Sequence, residues 1–344
     1  MDGGVPILVV SDLEMLNDIF IKKFNCFHAR KIAYLDMNEA GLKKRHMFAS
    51  HGLRWKRLRS ISAPAFSTIR LKQTIQNDLF SPCRKSPATF LRRLFQQLTL
   101  DSISRCAFGF EPTPSPKKED DFLSLCAATF ADTTQDNWIF TCSSIFDNAL
   151  SYAIYELARH PEIQEKLRGE IMDYHKNDVQ RMMYLDCVIR ETLRLYPVAV
   201  VSRRCMQTCT IGGITIEKGI HVLADVWTIH YNKDIWGPDA DEFVPERFAE
   251  DQLHSLHPLA WIPFGAGPRR CIGERFALLE MKLTLARLLR KYRIFLNDRT
   301  EVKSSSYASF ERSKSFHPIQ VPLELQEGVT NTPKNGVVLS LKLI

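Results

Sequence analysis

The chain has 344 residues, of which 45% are hydrophobic and 25% charged, and its formal net charge is +7. These are ordinary globular proportions, which exclude a disordered, collagen-like or disulfide-scaffold chain. No run of 18 apolar residues occurs, and the start at Met1–Pro6 lacks the basic and apolar regions of a secretory signal, so the chain reads as soluble or peripheral.

Residues 5–10 predict a strand, after which Ser11 reads as a helix N-cap with Glu14 three residues on. From Gly41 to Asn77 there is no acid against nine lysines and arginines. Such a block suits nucleic acid, a lipid surface, an acidic protein or an anionic cofactor, or else a solvated basic face. Residues 52–60 and 69–80 read as basic helices separated by a turn at Ser62–Pro64, and residues 89–108 as an amphipathic helix. A proline-rich connection follows at Glu111–Lys117. Helical pattern covers 136–172, with a junction at His160-Pro161, because Pro161 suits the first turn of a new helix. Residues 183–196 place Leu185, Val188, Ile189, Leu193 and Tyr196 on one face before Pro197. Strands are predicted at 199–201 and 210–216, the second folded on Gly212-Gly213. Residues 228–260 read as irregular. Residues 272–292 carry the strongest helical stripe, Ile272, Phe276, Leu279 and Leu283, and a terminal strand is predicted over 336–341. The mix is mainly α with a small β-sheet region.

The nine cysteines include no C-x-x-C pair, so reduced thiols are expected, most of them small core residues. Cys271 stands apart, in the loop Pro263–Gly273 ahead of the strongest helix. The helix N-terminus and Arg269 and Arg270 predict a lowered thiol pKa, suiting a nucleophile or a metal ligand; the alternative is a structural cysteine on a turn. Gly265 and Gly267 do not make a dinucleotide site, since Arg270 takes the third glycine's place and Pro263 spoils the preceding strand. Glu191 and Arg194 face the same way on their helix, and Arg247 in Pro245–Phe248 could add a second guanidinium. That set is either a surface bridge or a buried Arg–Glu–Arg cluster. The ten histidines show no ligand spacing.

These three pieces, in this order, resemble the cytochrome P-450 superfamily of haem-thiolate enzymes. The loop matches the pattern F-x-x-G-x-R-x-C-x-G at Phe264, Gly267, Arg269, Cys271 and Gly273. Trp55–Arg59, Glu156–Pro161, Tyr184–Asp186 and Glu191–Pro197 resemble the animal microsomal clan of the 3A enzymes and thromboxane synthase. The resemblance implies one domain over 1–344 with the mainly α fold of that family. It implies haem b, its iron held by the Cys271 thiolate, a ligand that favours O–O cleavage. Trp55, Arg59, Arg203 and Arg269 would face the haem propionates, with Arg30 a further candidate, and Phe264 and Gly273 would belong to the haem loop. Glu191, Arg194 and Arg247 would be structural, and no side chain is assigned a catalytic role. The implied function is monooxygenation of apolar small molecules, with electrons from an NADPH-dependent reductase. The other basic residues would meet an acidic reductase or an anionic membrane surface, and no nucleic acid is expected. The implied location is the cytosolic face of the endoplasmic reticulum membrane, or the cytosol for a chain without an anchor.

The sequence also departs from that family. Its dioxygen-activating segment, A-G-x-[DE]-T-T, aligns with Thr141–Phe146, which puts Cys142 for glycine, Ser144 for the acid and Ile145 for the threonine. Ala131–Thr134 lies too early in helical phase to substitute. The chain reads as shortened around 110–137 and 170–183, lacking part of the distal helical roof and the amino-terminal membrane anchor, and Glu301–Gln320 reads as a polar insertion. Impaired activity is therefore expected. The alternatives are a non-catalytic haem-binding remnant and a haem-thiolate isomerase that needs no dioxygen, which an apolar Ile145 suits.

Overall fold

Apolar stripes at helical spacing decide how the long helices pack. The computed structural model describes residues 6–30, 47–66, 138–174, 178–301, 323, 325–326, 331–333 and 337–344, with the backbone alone at 138–144, 326 and 332. The helices expected at 69–80 and 89–108, the proline-rich connection and most of the polar insertion lie outside the described residues.

Strand β1 (Ile7–Val10) is followed by α1 (Leu13–Asn17), which runs into a π-turn at Asp18–Lys22. Its N-cap is Asp12, whose carboxylate accepts the Met15 N–H at 2.7 Å, and not Ser11 as expected. Both residue types cap well, and the chain starts its helix one residue later so that Asp12 closes the first turn. The basic helix α2 (Gly52–Ser62) exposes most of its length and buries Trp55.

Helix α3 (Trp138–Arg159) meets α4 (Pro161–Asp173) at His160, with Pro161 in the first turn. Helix α5 (Met183–Leu195) buries Leu185, Val188, Ile189 and Leu193, the predicted stripe. Each of those side chains contributes about 1.5–3 kcal/mol of transfer free energy. The start of α5 is tied to α4 by Glu170, whose carboxylate accepts the N–H groups of Tyr184 and Leu185, both at 2.9 Å. That satisfies two of the donors a helix start leaves open.

The predicted strand at 199–201 is displaced. Strand β2 covers Ser202–Arg204, a polar triplet with no hydrophobic alternation, because pairing with β5 (His221–Ala224) sets its register. Strand β5 also pairs in parallel with β1, giving the order β1-β5-β2. The hairpin of β3 (Cys209–Ile211) and β4 (Ile214–Ile216) turns on Gly212 and Gly213, both at positive φ, as the Gly-Gly pair requires. The stretch expected to be irregular holds short helices α6 (Val226–His230), α7 (Lys233–Trp236) and α8 (Glu250–Leu253) and a 3₁₀ turn at Pro245–Phe248. Helix α9 (Glu274–Lys291) matches the strongest prediction and packs against α3, α4 and α5. It leads into β6 (Tyr292–Phe295), paired with the terminal strand β9 (Ser340–Leu343), which starts later than expected; β7 (Leu325–Gln326) and β8 (Thr332–Pro333) form a two-residue ladder.

Glu191 and Arg194 are wholly buried on α5 and pair through two bonds of 2.7 Å each. Arg247 Nε stands 3.5 Å from Glu191, while its other nitrogens serve the Trp236 and Asp239 carbonyls and the Asp239 carboxylate. The buried cluster is thus correct and the surface bridge is not, with Arg247 at its rim. Replacing Glu191 by Ala leaves a buried guanidinium unpaired, which costs about 3–5 kcal/mol. Urea denaturation of Glu191→Ala should show a loss of that size, and native stability would return the pair to a marginal role.

Candidate functional site

The loop ahead of α9 is built by three backbone bonds. The N–H of Gly265 donates to Ile262, that of Arg270 to Gly267 and that of Cys271 to Phe264, each at 2.9 Å. Gly265 and Gly267 adopt φ of +72° and +68°, the left-handed region where a side chain is strained. Gly267 has a second constraint, since a Cβ there would lie 2.1 Å from the Phe20 carbonyl oxygen. The π-turn that carries Phe20 therefore rests directly on the loop. Gly273 lets the Phe66 ring come within 3.6 Å of where its Cβ would stand. Phe264 contributes its carbonyl to Cys271, and its ring meets Trp261 edge-on at 5.9 Å.

Cys271 is exposed, three residues before the first residue of α9. Its thiol pKa is raised, which reverses the expectation. Protein atoms packed around the thiol raise it although the residue has an open face, and the Gly273 N–H and the Arg30 and Arg59 charges offset only part of that. The dipole is weak there because its field fades within the first turn.

Facing the loop is a group of cations drawn from four parts of the chain. Arg203 on β2 is 2% exposed and Arg269 in the loop is 1% exposed. Arg203 donates to the Ser202 and Ala266 carbonyls at 2.8 and 2.9 Å and lies 4.4 Å over the Phe20 ring. Arg269 donates to the Phe48 and Ser50 carbonyls and lies 4.5 Å over Trp55, which Arg59 also flanks at 5.8 Å. Arg30 donates to the Arg269 carbonyl at 3.0 Å. Burial, and then repulsion from Arg30, pushes Arg203 and Arg269 down to about 9, with each also feeling another guanidinium. His28 is lowered too, by burial and then by Arg269. The Nε atoms of Arg203 and Arg269 are buried without a hydrogen-bond partner.

Trp55, Arg59, Arg203, Phe264, Arg269, Cys271 and Gly273 are thus brought into one region, with Arg30 beside them. His28 and Phe20 were missed. His28 stands two residues from Arg30 in an extended segment bridged to Arg204, so period-two spacing was a usable signal. Nothing in the sequence points to Phe20, whose carbonyl meets Gly267 and whose ring lies beneath Arg203. Thr141–Ser144 belong to α3, but their side chains lie outside the described residues, whereas Ile145 packs against the main core. Ala131–Thr134 also lies outside them. Among the described residues no group of His, Cys, Asp and Glu side chains could hold a metal ion by itself, and no helix is long and apolar enough to cross a membrane.

A Gly267→Ala chain should lose about 2–5 kcal/mol, combining left-handed strain with displacement of Phe20. Gly212→Ala, at φ +55° with nothing within 4 Å of its Cβ, should lose only about 1–2 kcal/mol. Urea denaturation of the two variants checks this, and equal losses would refute the contact.

The chain is similar to proteins of one known family. The family model described as Cytochrome P450 matches residues 146–317. A Caenorhabditis elegans protein described as cytochrome P450 cyp-13B1 is 32% identical, over 87% of this chain and 82% of its own length. Another from the same organism, described as cytochrome P450 CYP13A3, is 29% identical over 99% of this chain and 85% of its own.

Proposed function

The chain belongs to the cytochrome P450 family, whose members are haem-thiolate monooxygenases that bind haem b through a cysteine, and from that premise we propose that Cys271 is the thiolate that holds the haem iron here. The observation that carries this reading is the buried pair Arg203 and Arg269, which bond backbone carbonyls and keep a partnerless Nε each. Two buried cations that no carboxylate among the described residues bonds call for an anion, and haem b brings two propionates. The donor set fits the group: a sulfur for the iron, guanidiniums for the carboxylates, and Trp55 as an apolar wall.

When bound, haem supplies the redox centre for activating dioxygen and inserting one oxygen atom into a substrate. The residues of the chain do the rest. Arg203, Arg269 and Arg59 neutralise and orient the propionates. The Gly273 N–H and the charges of Arg30 and Arg59 favour the deprotonated sulfur, against the burial that disfavours it. Gly265 and Gly267 give the loop the backbone shape that presents Cys271.

The finer assignments rest on resemblance. We place the chain in the animal microsomal clan of the 3A enzymes and thromboxane synthase, acting on apolar small molecules. It would receive electrons from an NADPH-dependent reductase at the endoplasmic reticulum membrane. The exposed basic face of α2, with Arg54, Lys56 and Arg57, suits an acidic reductase surface or an anionic membrane. We also read the chain as one domain, shortened around 110–137 and 170–183. The alignment with cyp-13B1 supports that, because it runs over 420 positions against 344 residues here.

Cys271→Ser should abolish the red-shifted Soret band of the reduced, carbon-monoxide-bound protein, while Cys205→Ser and Cys209→Ser keep it. An unchanged band in Cys271→Ser sinks the assignment.

Proton delivery at the distal side needs a hydroxyl or water and an acid to resupply it. Ile145 offers neither, and Ser144 cannot act as an acid near neutral pH. Thr141, one turn earlier on the same face, could replace them only in part. Turnover should therefore be weak and uncoupled, with electrons lost to hydrogen peroxide. A peroxide-supplied reaction should suffer less. The measurement is NADPH consumed against product formed, for the native chain and for a Ser144→Glu, Ile145→Thr double variant. Tight native coupling that the double variant does not improve overturns this reading of the helix. Rearrangement of a peroxide substrate without NADPH and with no second substrate oxidised would favour the isomerase, and no product by any route the haem-binding remnant.

A further inference from the structure

His230 is bonded at both ring nitrogens. Its Nδ1 lies 3.0 Å from the Arg194 carbonyl, and its Nε2 lies 3.1 Å from the Ile262 nitrogen. A carbonyl can only accept and a backbone N–H can only donate, so the tautomer is determined: Nδ1 carries the proton and Nε2 accepts. The residue is 0% exposed, and burial lowers its pKa to about 3, keeping the ring neutral. Only the neutral ring can accept from Ile262.

Each end of this imidazole is anchored to something already described. Arg194 is paired to Glu191 and donates Nη1 to the His230 carbonyl at 2.7 Å, so the two residues bond each other in both directions. Ile262 opens the sulfur loop, where its carbonyl receives the Gly265 N–H and Phe264 receives the Cys271 N–H. A continuous path therefore runs from the buried ion pair on α5, through one imidazole on α6, to the segment that sets the Cys271 backbone. A histidine that merely fills space has no need of two directional bonds to two different segments.

We propose that His230 is a positioning residue for the Cys271 loop, acting through the bond its Nε2 accepts from the Ile262 N–H. This rests on the reading of Cys271 as the haem ligand. The test uses three variants of the haem-loaded chain. His230→Gln keeps an acceptor that can reach Ile262, His230→Asn keeps a donor toward Arg194 and loses that acceptor, and His230→Leu loses both. Two readouts are taken on the same samples: the fraction of the thiolate-type Soret band in the reduced carbon-monoxide complex, and amide hydrogen exchange at Ile262 and Leu285.

The Gln variant should keep the native band and Ile262 protection. The Asn and Leu variants should lose more than about half of the thiolate-type band, with Ile262 exchanging about tenfold faster, the factor one lost hydrogen bond supplies. Exchange at Leu285, in the buried middle of α9, should not change. A full thiolate band in the Asn variant overturns the proposal. So does a Gln variant as impaired as Leu, or one that fails to fold, or Ile262 and Leu285 exchange rising together, which marks general destabilisation. If the native chain shows no thiolate band, the ligand assignment fails instead, and Ile262 exchange alone still reports whether His230 holds the loop.

Discussion

A single guanidinium organises the interior around α5. Arg194 is 0% exposed and uses its nitrogens on the Glu191 carboxylate and on the carbonyls of His230, Ala240 and Glu242. Glu191 answers by accepting the Val244 N–H at 2.9 Å. Burying two charges costs several kcal/mol per ion, and their attraction offsets this only when the remaining donors and acceptors are satisfied. Here the satisfying groups are backbone atoms from 230 to 244, a stretch with little regular structure of its own. The ion pair thus holds that irregular segment in one shape, and the segment completes the ion pair.

The cations beside the sulfur loop obey the opposite logic. Arg203 and Arg269 are nearly as buried as Arg194, yet among the described residues no carboxylate meets them, and each feels other guanidiniums nearby. Stacking on Phe20 and Trp55 and bonds to carbonyls recover part of the cost. A site that keeps positive charge in a low-dielectric place binds an anion strongly, because pairing there is worth far more than in water. The same interior therefore contains a charge pair complete in itself and a charge cluster that suits the propionates of the proposed cofactor.

Between the two lies a packed route rather than open space. Phe20 rests on Gly267 from one side, and Ile262 hangs from His230 on the other. Neither contact involves the sulfur, yet both limit where Cys271 can stand. The clearest contribution of the protein at this thiol is geometric: a loop shape set by backbone bonds and two glycines at positive φ.

Much of this was legible in the residues. Periodicity located α4, α5 and α9, because each buries one face against neighbours in both sequence and space, and the Gly212-Gly213 pair located a turn that depends on its own φ angles alone. The spacing of Phe264, Gly267, Arg269, Cys271 and Gly273 identified the loop, since a tight turn ahead of a helix is a local object. Other features belong to partners far along the chain. Strand β2 is polar and short, and only β5 makes it a strand. Glu191 with Arg194 reads equally as a surface bridge or as part of a buried cluster, and only residues 230–244, which enclose it, decide for burial. The rise in the Cys271 pKa comes from packing, which overrides the helix-end and charge effects visible in sequence. The bond from Ile262 to His230 joins residues 32 apart. Local steric preference and periodicity are written in neighbouring residues, whereas desolvation and long-range pairing exist only once the chain has closed on itself.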